Sequence, residues 1–71
     1  MNCQIHYTAM DDYQAEGLGA EFGQAMLAAG GYNIRSGSIG LEAYAFGIAE
    51  EAKIRDELYK LGHSDVFVAC R

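Results

Sequence analysis

An α+β fold is what the sequence predicts, in the order strand, helix, strand, strand, helix, strand, and three observations predict it. In Leu41–Gly47 (LEAYAFG), the odd positions Leu41, Ala43 and Ala45 are small or aliphatic, and the even positions Glu42, Tyr44 and Phe46 carry an acid and two aromatics. A period of two marks a strand with two different faces, an aliphatic one for the core and an aromatic one turned elsewhere. Ala15, Leu18, Phe22, Ala25, Met26 and Ala29 recur at steps of three and four, which makes one apolar helical stripe. Around a third apolar set, Ile54, Leu58 and Leu61, the pairs Glu51–Arg55 and Asp56–Lys60 place an acid four residues before a base, as helices favour. A chain of 71 residues is one domain, 1–71, near the lower size limit for folding without staples.

Taken in order, Cys3–Thr8 is the first strand, with Cys3, Ile5 and Tyr7 on one side and Gln4, His6 and Thr8 on the other. Ala9–Asp12 turns into a helix running from Tyr13 to Ala29, for which Thr8, Asp11 or Asp12 can supply the cap. Gly17, Gly19 and Gly23 each cost roughly 1 kcal/mol in a helix, a cost that close approach of helix to sheet explains; the alternative is a frayed or broken helix. Gly30-Gly31 stops the helix. Tyr32–Ser36 is a second strand with Ile34 inward, Ser36-Gly37-Ser38 a hairpin turn, and Ile39–Phe46 the third strand. Ala49–Leu61 is the second helix, with Ile48, Ala52 and Tyr59 as a further ridge, ended by Gly62; Ser64–Cys70 is the last strand.

This βαββαβ order is the ferredoxin-like arrangement, a four-stranded antiparallel sheet of order 4-1-3-2 with both helices on one face. The first and last strands are then antiparallel neighbours. Direct opposition makes paired residue numbers sum to 73, so that Cys3 meets Cys70, Ile5 meets Val68 and Tyr7 meets Val66, all on the helix side. A disulfide between Cys3 and Cys70 is geometrically conceivable, but the expectation is two buried thiols. Cytosolic thiols stay reduced, and opposed strand positions sit slightly far apart for a relaxed bridge.

Ten acids against five bases give a net charge of −5, which repels phosphate backbones and anionic lipid and argues against direct nucleic-acid or membrane binding. The longest uncharged run, Phe22–Ile34, is 13 residues and too short for a membrane helix. Asp11 and Asp12 interrupt the N-terminal stretch before a signal-peptide core can build, so a cytoplasmic location is expected. There is no Cys-x-x-Cys pair, and His6 and His63 fit no zinc spacing, so neither a metal nor a cofactor is expected.

The sheet face away from the helices would carry Gln4, His6, Thr8, Arg35, Glu42, Tyr44, Phe46, Phe67 and Ala69. Rings at His6, Tyr44 and Phe46 are similar to the RNA-recognition motif at three positions, but the basic residues of that family are missing. An aromatic patch here suits a second copy or another protein, which makes the chain a monomer or weak homodimer. His6 beside Glu42 is the one conceivable acid–base pair, and a single surface histidine is far more often inert; no nucleophile has a local base signature. An enzyme is therefore not expected. A small ligand-binding or dimerising regulatory module is the alternative that the fold class allows, by analogy alone.

A binding and blocking protein needs only a rigid scaffold, an acidic surface and an exposed aromatic patch. Glu50, Glu51, Asp56 and Glu57 in the second helix, with Asp11, Asp12, Glu16 and Glu21 in the first, are the candidate carboxylates; Tyr44 and Phe46 are the aromatic candidates. For any single acid, a solvated helix face is the plainer explanation. Carboxylates can occupy Arg and Lys groups that otherwise hold phosphates. From MNCQIHYTAMDDYQ to SDVFVACR, the chain resembles the small acidic anti-CRISPR proteins of phages and mobile elements, including those directed at type I systems. That group shares no motif, so no residue role carries over. The resemblance implies inhibition of a CRISPR effector complex through a protein partner with a basic surface, in some members by DNA mimicry.

Overall fold

The computed structural model describes residues 1–71. β1 (Asn2–Thr8), α1 (Asp12–Ala28), β2 (Tyr32–Ile39), β3 (Glu42–Ile48), α2 (Glu51–Lys60) and β4 (Phe67–Cys70) follow one another in the expected order. All strand pairings are antiparallel and the sheet order is β2-β3-β1-β4, the expected order read from its other edge. Ile5, Ala43, Ala45 and Val68 of the sheet bury against Phe22 and Met26 of α1 and Ile54 and Leu58 of α2, in one core cluster. Both helices therefore cover the same face, and the other face has none.

α1 begins where Asp11, in extended conformation, accepts a 2.7 Å hydrogen bond from the Gln14 backbone N–H. That bond satisfies one of the four donors a helix start leaves open. Asp11→Ala is expected to cost about 1 kcal/mol of stability, read as a shift in the urea midpoint at unchanged m-value. Gly30, at φ 79°, ends the helix as expected.

α1 is continuous through its three glycines, and two of the three serve close approach to the sheet. A Cβ on Gly19 would lie 2.3 Å from the Gly37 carbonyl oxygen, and one on Gly23 would lie 2.3 Å from Ser36 Oγ, so both positions let α1 settle onto β2. Gly17 has nothing within 4 Å and plays no part in that approach.

Several expectations are corrected. The hairpin turn lies at Gly40-Leu41, with Gly40 at φ 59°, and Gly37 is inside β2, paired with Tyr44. Ile39 therefore belongs to β2, and Leu41 leaves the core for the turn, where it is 43% exposed. Tyr59 and Ala52 face solvent rather than forming a second ridge, and Ile48 ends β3. β4 starts at Phe67; Val66 is buried without entering the ladder.

Cys3 and Cys70 form a disulfide, which overturns the expectation of two thiols. The reason lies in the ladder. Asn2 and Arg71 exchange both backbone hydrogen bonds, at 3.0 and 2.9 Å. The next pair, Cys3 and Cys70, is therefore a non-hydrogen-bonded pair, the kind in which opposed Cα atoms come closest; here they are 4.1 Å apart.

Candidate functional site

Charge on this molecule is sorted by position. In α2 every base is engaged on its own helix: Lys53 Nζ lies 3.5 Å from Glu50, Arg55 Nε donates to Glu51 at 3.0 Å, and Lys60 Nζ lies 3.3 Å from both Asp56 and Glu57. The Asp56 carboxylate first, and Glu57 with it, holds the Lys60 ammonium above its usual range. Arg55 also donates to the Val68 carbonyl at 3.1 Å, bolting α2 to β4. Glu50, Glu51, Asp56 and Glu57 are thus largely neutralised by the three cations among them. The structure places these four expected site acids on α2 but does not give them a strong common field.

The remaining acids gather elsewhere. Thr8 pairs with Glu42 and His6 with Phe67, so the end of β1 and the starts of β3 and β4 lie at one end of the sheet. The start of α1 follows β1 there, and the segment after α2 returns to it. Asp11, Asp12, Glu16, Glu42 and Asp65 sit at this pole, five of the ten acids in the chain, and Glu21 lies further along α1. Lys60 is the one Lys or Arg that reaches this end, and Asp56 and Glu57 already hold it. Glu21 meets His63 at 3.3 Å, and the His63 ring stands edge-on to Phe22 at 5.9 Å, which fixes the segment after α2 against α1. Asp11, Asp12 and Glu16 face solvent without an ion pair.

Two residues of this pole are missed by sequence reasoning. Met10 and Tyr13 are 86% and 88% exposed, flanking Asp11 and Asp12, and they border a shallow groove of about 490 Å³ that also takes in Glu21 and His63. An exposed aromatic among charged neighbours is the kind of residue that anchors interfaces. The signal was the four-residue run Met10-Asp11-Asp12-Tyr13, whose apolar members belong to no core stripe.

The uncovered sheet face carries the residues expected for it. Strand register arranges them in rows: Arg35, Phe46, Gln4 and Ala69; then Gly37, Tyr44, His6 and Phe67; then Ile39, Glu42 and Thr8. Tyr44 and Phe46 pack at 5.5 Å between ring centroids, and the Tyr44 ring extends over Gly37. Glu42 accepts from Thr8 Oγ1 at 2.9 Å and meets His6 Nε2 at 2.5 Å. The carboxylate thus orients the histidine, but both cysteines are consumed in the disulfide and no hydroxyl other than Thr8 joins the cluster. Arg35 forms no ion pair. A groove of about 400 Å³ runs over this face between Ile39 and Phe46.

No group of three or more His, Cys, Asp or Glu side chains is placed to hold a metal ion, and no helix is long and apolar enough to cross a membrane. Compared with known proteins, the chain matches no family model, no curated protein and no solved structure.

Proposed function

We propose that this chain is a small binding protein, without a reaction of its own, that inhibits a macromolecular partner by laying its acidic pole on the partner's basic surface. The observation that carries the reading is the separation of charge: α2 neutralises its own acids, while Asp11, Asp12 and Glu16 stand unpaired at one end beside exposed Met10 and Tyr13. Carboxylates held on a rigid helix start can pair with Arg and Lys groups that otherwise grip phosphate, and an aromatic neighbour adds apolar contact. The resemblance to anti-CRISPR proteins names the partner to try first, a CRISPR effector complex of type I, with DNA mimicry as the mode. The strand and helix order supports a ferredoxin-like scaffold. A cytoplasmic site of action belongs to the same reading; the disulfide weighs against it, and alkylation of free thiols in protein taken directly from cells decides the point.

The experiment is to mix the protein with a Cascade-type complex and measure target-DNA binding. The expected result is a dose-dependent loss of DNA binding that weakens as salt rises. Undiminished DNA binding by every such complex tested removes the CRISPR partner.

A further inference from the structure

We infer that the open edge of β2 pairs with β2 of a second copy, antiparallel about a two-fold axis at Gly37, to give a symmetric dimer with one continuous eight-stranded sheet. β2 is an outer strand of the sheet. The reciprocal bonds between Asn2 and Arg71 set which way each backbone group points. Even residues of β1 bond to β4, and its odd residues bond to β3. On β3, odd residues therefore bond to β1 and even residues to β2. Arg35, Gly37 and Ile39 of β2 consequently spend their N–H and C=O groups on β3, while those of Ser36 and Ser38 project from the edge. Neither serine is among the backbone groups paired outside the sheet and helices. The edge has no proline, lysine or acid; the irregularity between Tyr32 and Arg35, where Asn33 has φ 55°, blunts only its first half and leaves the regular stretch from Arg35 to Ile39 open.

The register follows from those groups. With Gly37 opposite Gly37 of the other copy, Ser36 faces Ser38 of the other copy as a hydrogen-bonded pair, twice, and four backbone bonds form. On the uncovered face this sets Arg35 beside the other copy's Ile39, whose own neighbour on β3 is Glu42. Arg35 to that glutamate is two strand spacings, about 10 Å between Cα atoms, a span the two long side chains cross together. The face carries one arginine, unpaired, and one carboxylate, which Thr8 and His6 already hold within the chain, and the two-fold brings each arginine toward the other copy's carboxylate. Ile39, 74% exposed in the single chain, is covered by the arginine stem. Antiparallel pairing also turns the two acidic poles in opposite directions along the strands, on either side of the axis.

Sedimentation equilibrium tests this, with wild type, Arg35→Glu, Glu42→Arg and an equimolar mixture of the two variants. Wild type is expected to approach twice 7.7 kDa as concentration rises. Each variant alone faces like charges and dimerises at least about tenfold more weakly, since like-charge contacts cost several kcal/mol. The mixture restores wild-type association. In the mixed dimer the two introduced side chains, of opposite charge, face each other across the axis, and the native Arg35 of one chain meets the native Glu42 of the other. Ser38→Pro, which removes an edge N–H without touching the ladder to β3, is expected to abolish the dimer while circular dichroism stays unchanged. A wild type that stays monomeric at millimolar concentration, single variants that associate as wild type does, or a mixture no better than its components each overturns the inference.

Discussion

Loss of the Cys3–Cys70 bond is expected to lower the unfolding free energy by about 4 kcal/mol, from the entropy that a cross-link over 67 residues removes from the unfolded chain. A domain of this size draws only about 3–5 kcal/mol from its core, so the bond contributes about as much as everything else together. The effect is large because the bond closes nearly the whole chain and because it secures β4, the shortest strand, which has four ladder positions. Urea unfolding with and without reductant measures it, and the Cys3→Ala/Cys70→Ala double variant separates the cross-link from any effect of reductant. The melting temperature should fall by on the order of 20 °C. Equal midpoints for the oxidised and reduced protein would show that the β1–β4 ladder holds without the bridge.

The second large effect is a difference of sign between two neighbours on one helix. Alanine is favoured over glycine inside a helix by roughly 1 kcal/mol, and Gly17→Ala is expected to gain about that much, since its Cβ enters open space. Gly19→Ala is expected to lose about 2–3 kcal/mol in spite of the same helical gain. Its Cβ would meet the oxygen, carbonyl carbon and Cα of Gly37 at 2.3, 2.6 and 2.9 Å, all backbone atoms of a paired strand that has no rotamer to change. α1 must then lift from β2 and loosen the packing of Phe22 and Met26, both wholly buried. Paired urea titrations of the two variants read the result; two changes of the same sign would mean that the helix does not rest on β2 as closely as described.

The sequence made strand order and register legible for a physical reason. Alternation along β1, β3 and β4 must put all inward residues on one side, and antiparallel pairing of the chain ends, which the βαββαβ order requires, does so for Cys3, Ile5, Val68 and Cys70 together. The β2–β3 turn was not legible, because Ser36-Gly37-Ser38 has turn composition while Gly37 sits inside β2 opposite Tyr44, and nothing in the local sequence distinguishes the two. The disulfide was misjudged because opposed strand residues come at two separations, and hydrogen-bond parity, which selects the shorter one at Cys3–Cys70, is a property of the ladder. Asp11, Asp12 and Glu16 were among the candidate acids but stood level with those of α2, and Glu42 and Asp65 of the same pole were not among them. The spacing Glu51–Arg55 and Asp56–Lys60 already marked α2 as self-paired, and Glu50–Lys53 and Glu57–Lys60, three apart, complete the neutralisation. Tyr44 and Phe46 do lie on the bare face, next to the edge that the dimer would extend.

Charge reversal at two places measures most directly whether the acidic pole is the contact surface. Asp11→Lys/Asp12→Lys/Glu16→Lys is to be compared with Glu50→Lys/Glu51→Lys/Glu57→Lys for binding to the inhibited complex across a salt series. The pole variant should lose affinity and most of its salt dependence, and the α2 variant should keep both. Loss confined to the α2 variant, or equal loss in both, would contradict the account.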